Sequence, residues 1–219
     1  MVAPAPRGRR AIWLHPVAKP ALLVTGLLPF AWLFYAAVAD QLGANPAEHL
    51  IRSLGDWTLR FLCLTLAVTP LRTIAAQPAL ARFRRMLGLF TYFYAFLHLL
   101  GYAVFDMGLD VGEIARDIAK RPFILVGFAA FVLLTPLAAT SFNRAIRALG
   151  ADRWQALHRL VYLVAGLAIL HFFWMRAAKH NFAEVAVYAA ILALLLGWRV
   201  WRRVRPPSLQ GARQPARQG

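Results

Sequence analysis

Residues 154–174 read WQALHRLVYLVAGLAILHFFW, and this stretch decides the fold class. Its central part is apolar for long enough to cross a lipid bilayer as a helix, which takes roughly 20 residues. It nevertheless carries His158 and His171, and ionisable side chains are costly at membrane depth. The stretch therefore predicts a membrane-spanning helix whose histidines need an explanation.

The composition of the whole chain also indicates a membrane protein. The chain is 60% hydrophobic and 16% charged, whereas soluble domains carry about 45–50% apolar and about 25% charged residues. A formal charge of +16 would suggest nucleic acid, but a nucleic-acid-binding protein does not need so apolar a composition. The single cysteine, Cys63, excludes an internal disulfide and an iron–sulfur cluster held by several thiolates of this chain. We expect contact with the lipid bilayer and no nucleic-acid partner.

Five more apolar runs predict an all-α fold, a six-transmembrane-helix bundle. The predicted spans are 20–39, 57–71, 86–105, 122–143, 154–175 and 181–201. The first run is longer than the core of a cleavable signal, so we interpret it as a retained helix. The domain organisation is then a basic N-terminal segment 1–19, a six-span domain 20–203, and a basic tail 204–219 that we expect to be disordered.

The distribution of charge predicts the orientation of the bundle. Most of the 25 basic residues lie in the N-terminal segment, the second-to-third loop, the fourth-to-fifth loop and the tail, whereas nearly all of the nine acidic residues lie in the other loops. Basic loops face the cytoplasm. Both termini are therefore predicted to be cytoplasmic.

The three histidines inside predicted spans are His98, His158 and His171. A lone intramembrane histidine is usually explained by an interhelical hydrogen bond. Three of them on two spans of the same direction, with no carboxylate at depth, favour a cofactor. His98 lies roughly 20 Å along the helix axis from Arg85, which places it in the outer half with His171. These two can face each other as the axial ligands of one heme in the bundle, whereas His158 lies near the cytoplasmic end.

Two smaller patterns accompany the histidines. Thr-Pro-Leu occurs at 69–71 and again at 135–137, each time before a basic loop, a Leu-Gly pair and a histidine-bearing helix, which hints at an internal repeat. Four glycines in the predicted spans would let helices or a porphyrin approach closely, and none of them is diagnostic alone: Gly88, Gly101, Gly127 and Gly166.

The stretches around these histidines resemble the MsrQ family (also called YedZ), the heme-binding membrane subunits of the bacterial protein-methionine-sulfoxide reductase system. This family belongs to the ferric-reductase-like transmembrane superfamily. The resemblance covers roughly residues 20–200, and it is carried by the sequences RRMLGL at 84–89, TL at 65–66, TPL at 69–71, LG at 149–150, WQALHRLVY at 154–162 and HFFW at 171–174.

The resemblance implies a b-type cytochrome of the bacterial inner membrane. Such a protein would take electrons from membrane quinol, with FMN as a further cofactor, and pass them to a periplasmic molybdopterin-containing subunit that reduces methionine sulfoxide. His98, His158 and His171 match the heme histidines of the family. Two-heme members of the superfamily have another histidine on the third span, where this chain has Arg84 and Arg85. The expected count is one heme b, with a second left open.

Arg84, Arg85 and Arg159 are further candidates for cofactor binding. Arginine makes charge-assisted bonds to a heme propionate, a flavin phosphate or a quinone carbonyl. Arg84 and Arg85, each taken alone, are better explained as ordinary positive charges on the cytoplasmic side. Arg159, directly after His158, is explained at least as well by a side chain that reaches the interface.

Two alternatives to the electron-transfer subunit stay open at this point. The first is a stand-alone transmembrane ferric or cupric metalloreductase, which normally needs a flavin dehydrogenase. The second is a non-redox membrane transporter or assembly factor with structural histidines.

Overall fold

The computed structural model describes residues 13–177 and 182–204, and the regular structure found there is helical. The all-α prediction is therefore confirmed. The helices are α1 (Ala18–Val38), α2 (Pro46–Ile74), α3 (Arg84–Gly101), α4 (Val111–Lys120), α5 (Pro122–Ala139), α6 (Asn143–Leu149), α7 (Ala151–His158), α8 (Leu160–Ala177) and α9 (Ala183–Val204). A 3-10 segment, Pro78–Phe83, precedes α3, and a π-helical turn, Tyr102–Asp106, follows it.

Five continuous helical runs in the described ranges are long and apolar enough to cross a membrane. They are Ala18–Val38, Pro78–Asp106, Pro122–Ala139, Ala151–Ala177 and Ala183–Val204. The chain is thus a multi-pass membrane protein. The predicted second span lies inside α2, which has Arg60 and Arg72 at the ends of its apolar part. Six crossings therefore stay a prediction.

The structure also differs from the predicted segment boundaries. Helix α2 begins well before residue 57, because the Asn45 side chain caps it by accepting a 3.2 Å hydrogen bond from the Glu48 N–H. The fourth span ends at Ala139, and the predicted third-to-fourth loop contains helix α4, which Asp110 caps. Residues 1–12 and 205–219, including most of the predicted disordered tail, lie outside the described residues.

The core is built from two antiparallel helix pairs. Helix α2 packs along α3, and α5 packs along α8, while α9 contacts both α2 and α8. Helix α2 is the most enclosed of these, with eight buried residues from Leu54 to Pro70. A helix covered by protein on several sides does not need the uniformly apolar surface of a lipid-facing one. This explains why α2 is the least hydrophobic candidate for a crossing.

Helix α1 is attached to the core through Tyr94 of α3. Tyr94 is fully buried, and its hydroxyl donates to the Gly26 carbonyl at 2.7 Å and accepts from the Phe30 N–H at 3.1 Å. These two backbone groups are four residues apart on either side of Pro29 and would bond each other in an unbroken helix. The tyrosine is therefore inserted into the backbone of α1 at its proline.

Arg199 of α9 likewise supplies a hydrogen bond that a proline removes from α2. Pro70 has no N–H, so the carbonyl of Leu66, one turn earlier, loses its usual partner within the helix. The Arg199 guanidinium donates to this carbonyl and to that of Leu195 on its own helix, and it lies over the Tyr162 ring. The contact links α9 to α2 and satisfies a buried acceptor.

We predict that Arg199→Met destabilises the folded protein by about 1.5–3 kcal/mol, the usual value for a hydrogen bond to a charged group. The loss of folding stability on Arg199→Met should be smaller in a Pro70→Ala background, because the alanine supplies the missing N–H to the Leu66 carbonyl. Unfolding of the four proteins of this double-mutant cycle in mixed micelles measures the difference. An equal cost of Arg199→Met in both backgrounds would show that the proline is irrelevant to this arginine.

Candidate heme site

A cavity of about 460 Å³ lies between α2, α3, α5 and α8. Its wall includes His98 near the end of α3 and His171 near the end of α8. The two rings lie side by side, with their centroids 6.2 Å apart and their planes at 76°. The folding of the two helix pairs thus brings together two histidines that are far apart in the sequence.

The His98 ring is oriented by the backbone of α2. Its Nδ1 lies 2.8 Å from the Ile51 carbonyl oxygen. Because a carbonyl only accepts hydrogen bonds, Nδ1 is assigned the proton, and Nε2 keeps its lone pair. Gly55, one turn later on α2, makes room for the ring, since a Cβ there would lie 3.2 Å from its atoms.

The His171 ring is held in the same way by α5. Its Nδ1 lies 2.6 Å from the Phe123 carbonyl oxygen, so Nε2 is again the free ligating nitrogen. Gly127, one turn after Phe123, lies even closer to its histidine, because an added Cβ would be 2.7 Å from the ring. Each histidine therefore has a backbone carbonyl that fixes its tautomer and a glycine that gives it space.

The two halves of the site form an internal repeat. Ile51 and Gly55 of α2 correspond to Phe123 and Gly127 of α5, and His98 corresponds to His171. This register differs from the one suggested by the two Thr-Pro-Leu motifs, since Gly55 precedes the first motif by many more residues than Gly127 precedes the second. The motif pair thus indicated the helices that the repeat relates, but not the register between them.

Three arginines line the end of the cavity where α2 and α5 begin and α8 ends. Arg52 pairs with Glu48, Arg121 pairs with Asp117 at 2.8 Å, and Arg176 pairs with Glu184 at 2.5 Å. The Arg176 Nε is buried and has no hydrogen-bond partner among the residues that the structure describes. This end of the cavity is therefore charged, with the carboxyl groups of Glu48, Asp56 and Asp106 beside the arginines, whereas the opposite end is apolar.

His158 lies outside this cavity wall. Its ring stacks on Trp154 at 3.9 Å, and its Nδ1 contacts the Trp154 carbonyl oxygen at 3.0 Å. Its Nε2 is buried without a hydrogen-bond partner in the part of the chain that the structure describes. The structure thus brings His98 and His171 together and leaves His158 apart.

The three candidate arginines also lie outside the cavity wall. Arg84 and Arg85 are exposed at the start of α3, and the Arg85 guanidinium donates to the Asn143 side-chain oxygen at 2.7 Å. Arg159 is exposed where the helical run changes from α7 to α8. None of the three contacts the His98–His171 pair, and their role in binding a cofactor stays a prediction.

Sequence reasoning missed Gly55 and the two carbonyls that hold the histidines. It also missed the cavity arginines, which look like ordinary members of helix ion pairs. One signal was available, because Gly55 and His98 are separated by nearly the same number of residues as Gly127 and His171. A search for paired glycine–histidine spacings would have found it.

The arrangement fits a heme. Metal–imidazole bonds are about 2 Å long, so two imidazoles that ligate one metal from opposite sides have ring centroids close to the 6.2 Å seen here. Both Nε2 atoms are available, the cavity between them is largely apolar, and arginines line one end of it. Histidine ligands, a shielded cavity and cations for the propionates are what a buried heme requires.

Comparisons with known proteins agree with this geometry. A family model described as "Ferric reductase like transmembrane component" matches residues 54–169. The chain is 75% identical over 194 residues to the "Protein-methionine-sulfoxide reductase heme-binding subunit MsrQ" of Polaromonas naphthalenivorans, covering 89% of each protein. It is 51% identical over 215 residues to the protein of the same name from Ralstonia nicotianae, covering 97% of this chain and 96% of that protein.

A more distant match is the magnetosome protein MamZ of Magnetospirillum gryphiswaldense, 44% identical over 84% of this chain but over only 29% of MamZ. No solved structure matches the chain. The agreement with the MsrQ proteins extends over nearly the whole length on both sides. The chain therefore belongs to the MsrQ family of protein-methionine-sulfoxide reductase heme-binding subunits, within the ferric-reductase-like transmembrane proteins.

Proposed function

We propose that this chain is a b-type cytochrome subunit of an oxidoreductase complex. It carries electrons from membrane quinol to a periplasmic molybdopterin-containing subunit, which reduces methionine sulfoxide in oxidised periplasmic proteins. The observation that supports this most directly is the pair of carbonyl-anchored imidazoles, His98 and His171, which line one cavity with their ring centroids 6.2 Å apart. Two protein ligands on one iron leave no open coordination position, which suits electron transfer rather than oxygen binding.

The residues of the site have separate tasks in this proposal. His98 and His171 hold the iron through Nε2, and the Ile51 and Phe123 carbonyls keep both rings in the ligating tautomer. Arg52, Arg121 and Arg176 are the cavity cations that bind the propionates. A bound heme supplies a one-electron couple there.

We further propose that α2 is the sixth crossing and that the protein lies in the bacterial inner membrane. Both termini are then cytoplasmic, which follows from the basic residues of the N-terminus, the 72–85 and 144–153 loops and the tail. The ends of α3 and α8 that carry His98 and His171 face the periplasm in this orientation. The heme is therefore close to the side where the catalytic partner acts.

The electron donor belongs at the opposite, cytoplasmic end of the bundle. His158 offers a buried free Nε2 there, and Arg84, Arg85 and Arg159 supply positive charge for a quinol, an FMN phosphate or the propionates of a second heme. A second heme at His158 would need a ligand other than histidine from the start of α3, where Arg84 and Arg85 stand. We therefore propose one heme for the site between His98 and His171 and a donor site at the His158 end.

The protein purified in detergent should show the reduced α-band of a bis-histidine b-type heme. Addition of a quinol to a flavin-free preparation should reduce it, and addition of the catalytic subunit with methionine sulfoxide should then reoxidise it. Reduction by NAD(P)H but not by quinol would contradict the quinol route, whereas absence of an α-band would contradict the cytochrome itself. Reoxidation by ferric chelate alone would favour a metalloreductase.

A further inference from the structure

A short bridge of side chains links α3 to the start of α5 through the amphipathic helix α4. The Tyr102 hydroxyl, in the π-helical turn that follows α3, donates to Asp117 Oδ2 at 2.7 Å. The other carboxylate oxygen of Asp117, Oδ1, lies 2.8 Å from the Nε of Arg121. The Asp117 side chain is only 13% exposed, whereas that of Arg121 is 56% exposed. A largely covered carboxylate thus holds a much more open arginine.

The backbone at Arg121 forms a fixed corner between two helices. Arg121 is the single residue between α4, which ends at Lys120, and α5, which begins at Pro122. The residue before a proline is restricted to extended conformations, and Arg121 has φ −108° and ψ 103°. Its N–H donates to the Asp117 carbonyl oxygen at 3.0 Å, and its carbonyl oxygen accepts from the Ile124 N–H at 3.0 Å. The position of the Arg121 backbone is therefore set by hydrogen bonds from both helices.

The two members of the ion pair differ in their relation to the cavity. Arg121 belongs to the cavity wall, whereas Asp117 lies outside it. A guanidinium group has five N–H donors, so the bond at Nε leaves donors on the two terminal nitrogens for a group inside the cavity. Asp117 therefore holds Arg121 from behind the wall without occupying the cavity itself.

A carboxyl group on the cavity side competes for the same arginine. Asp106 is in the cavity wall and interacts electrostatically with Arg121. The open side chain of Arg121 has many rotamers, and its fixation in one of them costs conformational entropy. The bond to Asp117 offsets this cost and restrains the guanidinium from turning to Asp106.

We infer that Asp117 is a positioning residue for heme binding, which holds the Arg121 guanidinium at the cavity wall where it binds a propionate. Tyr102 in turn orients the Asp117 carboxylate. The inference rests on the proposed function, in which the cavity arginines bind the propionates. It gives Asp117 an effect opposite to that of its charge. A carboxylate near the propionates repels them, so its neutralisation alone would strengthen heme binding, whereas loss of its bond to Arg121 weakens heme binding.

Transfer of heme from the purified protein in detergent micelles to an excess of apomyoglobin tests this inference. Asp117→Asn should accelerate heme dissociation by about tenfold or more, which corresponds to one hydrogen bond between charged groups. Arg121→Gln should have a similar effect. The double variant should release heme no faster than Arg121→Gln alone, because Asp117 acts through the arginine. Unchanged or slower dissociation in either single variant overturns the inference, as do effects that multiply in the double variant.

A heme with both propionates esterified separates positioning from a general loss of structure. The dimethyl ester of heme b, exchanged into the same four proteins, has no carboxylate for Arg121 to bind. We therefore expect the wild type and the three variants to release the ester at similar rates. A defect of Asp117→Asn that persists with the ester would show that Asp117 only supports the fold, and it would overturn the inference.

Glu113→Gln is the matched control for Asp117→Asn. Glu113 lies on the same helix and pairs with Arg116 at 2.8 Å, but neither of these residues is in the cavity wall. The control removes the same charge from α4 and should not accelerate heme dissociation. Acceleration equal to that of Asp117→Asn would overturn the inference. Failure of the wild type to bind low-spin heme would instead contradict the proposed function.

Discussion

Replacement of His98 or of His171 by alanine should each reduce the heme retained through purification by more than about tenfold, because loss of even an outer partner at a metal site costs that much. Both rings are held by a backbone carbonyl, and the cavity wall in the described part of the chain contains no further histidine that could ligate in their place. The heme content per protein and the low-spin spectrum of each variant measure the effect.

His158→Ala is the matched control for this experiment. It removes a histidine of α7, the helix that leads into the one carrying His171, but outside the cavity wall. We expect this variant to keep the low-spin heme and its reduction by dithionite while it loses reduction by quinol. If His158→Ala lost the heme as well, His158 would be an axial ligand and the proposed pairing would be wrong.

Gly127→Ala should also deplete the heme although it removes no ligand. The added methyl group would lie 2.7 Å from the His171 ring, which is closer than a real Cβ contact allows. The ring must then turn away from the Phe123 carbonyl or the α5–α8 pair must separate, and either change displaces Nε2. We expect heme content to fall by about tenfold or more, with a shift from low-spin to high-spin iron in what remains.

Alanine substitutions at two other glycines are the controls for Gly127→Ala. Gly55→Ala places its methyl group 3.2 Å from the His98 ring, a contact that a small adjustment relieves, so its effect should be clearly weaker. Gly166 of α8 has open space around its Cβ position, and Gly166→Ala should stabilise the helix by about 0.5–1 kcal/mol without loss of heme. An order of effects other than Gly127, Gly55, Gly166 would contradict the close packing of the histidines.

The sequence predicted the parts of this fold that depend on composition. Long apolar runs mark the lipid-facing helices, since each must satisfy its backbone internally and expose a hydrophobic surface. The boundaries of helix α2 were predicted less accurately, because protein covers the helix on several sides and its arginines interrupt the apolar sequence pattern. Helix α4 was missed altogether, since a short amphipathic helix between spans resembles a polar loop.

The candidate site was likewise predicted where it depends on residue type and missed where it depends on packing. His98 and His171 were identified because a histidine at membrane depth is unusual in any sequence. The groups that orient these histidines were not identified, because every residue has a backbone carbonyl. Only the packing of α2 on α3 and of α5 on α8 brings the carbonyls of Ile51 and Phe123 to the two rings. The sequence had already set His158 apart by its position near the cytoplasmic end of its span, and the structure places it outside the cavity wall that His98 and His171 line.

The use of main-chain acceptors has a consequence for how this site can change during evolution. A carboxylate that oriented each histidine would be lost by a single substitution, whereas the carbonyls of Ile51 and Phe123 persist whatever side chain those positions carry. Substitution at these two positions therefore leaves both acceptors in place, whereas substitution of His98, His171 or the glycines that admit their rings changes the site directly. Relatives that share little else can be sought by two glycines, each followed at nearly equal distance by a histidine.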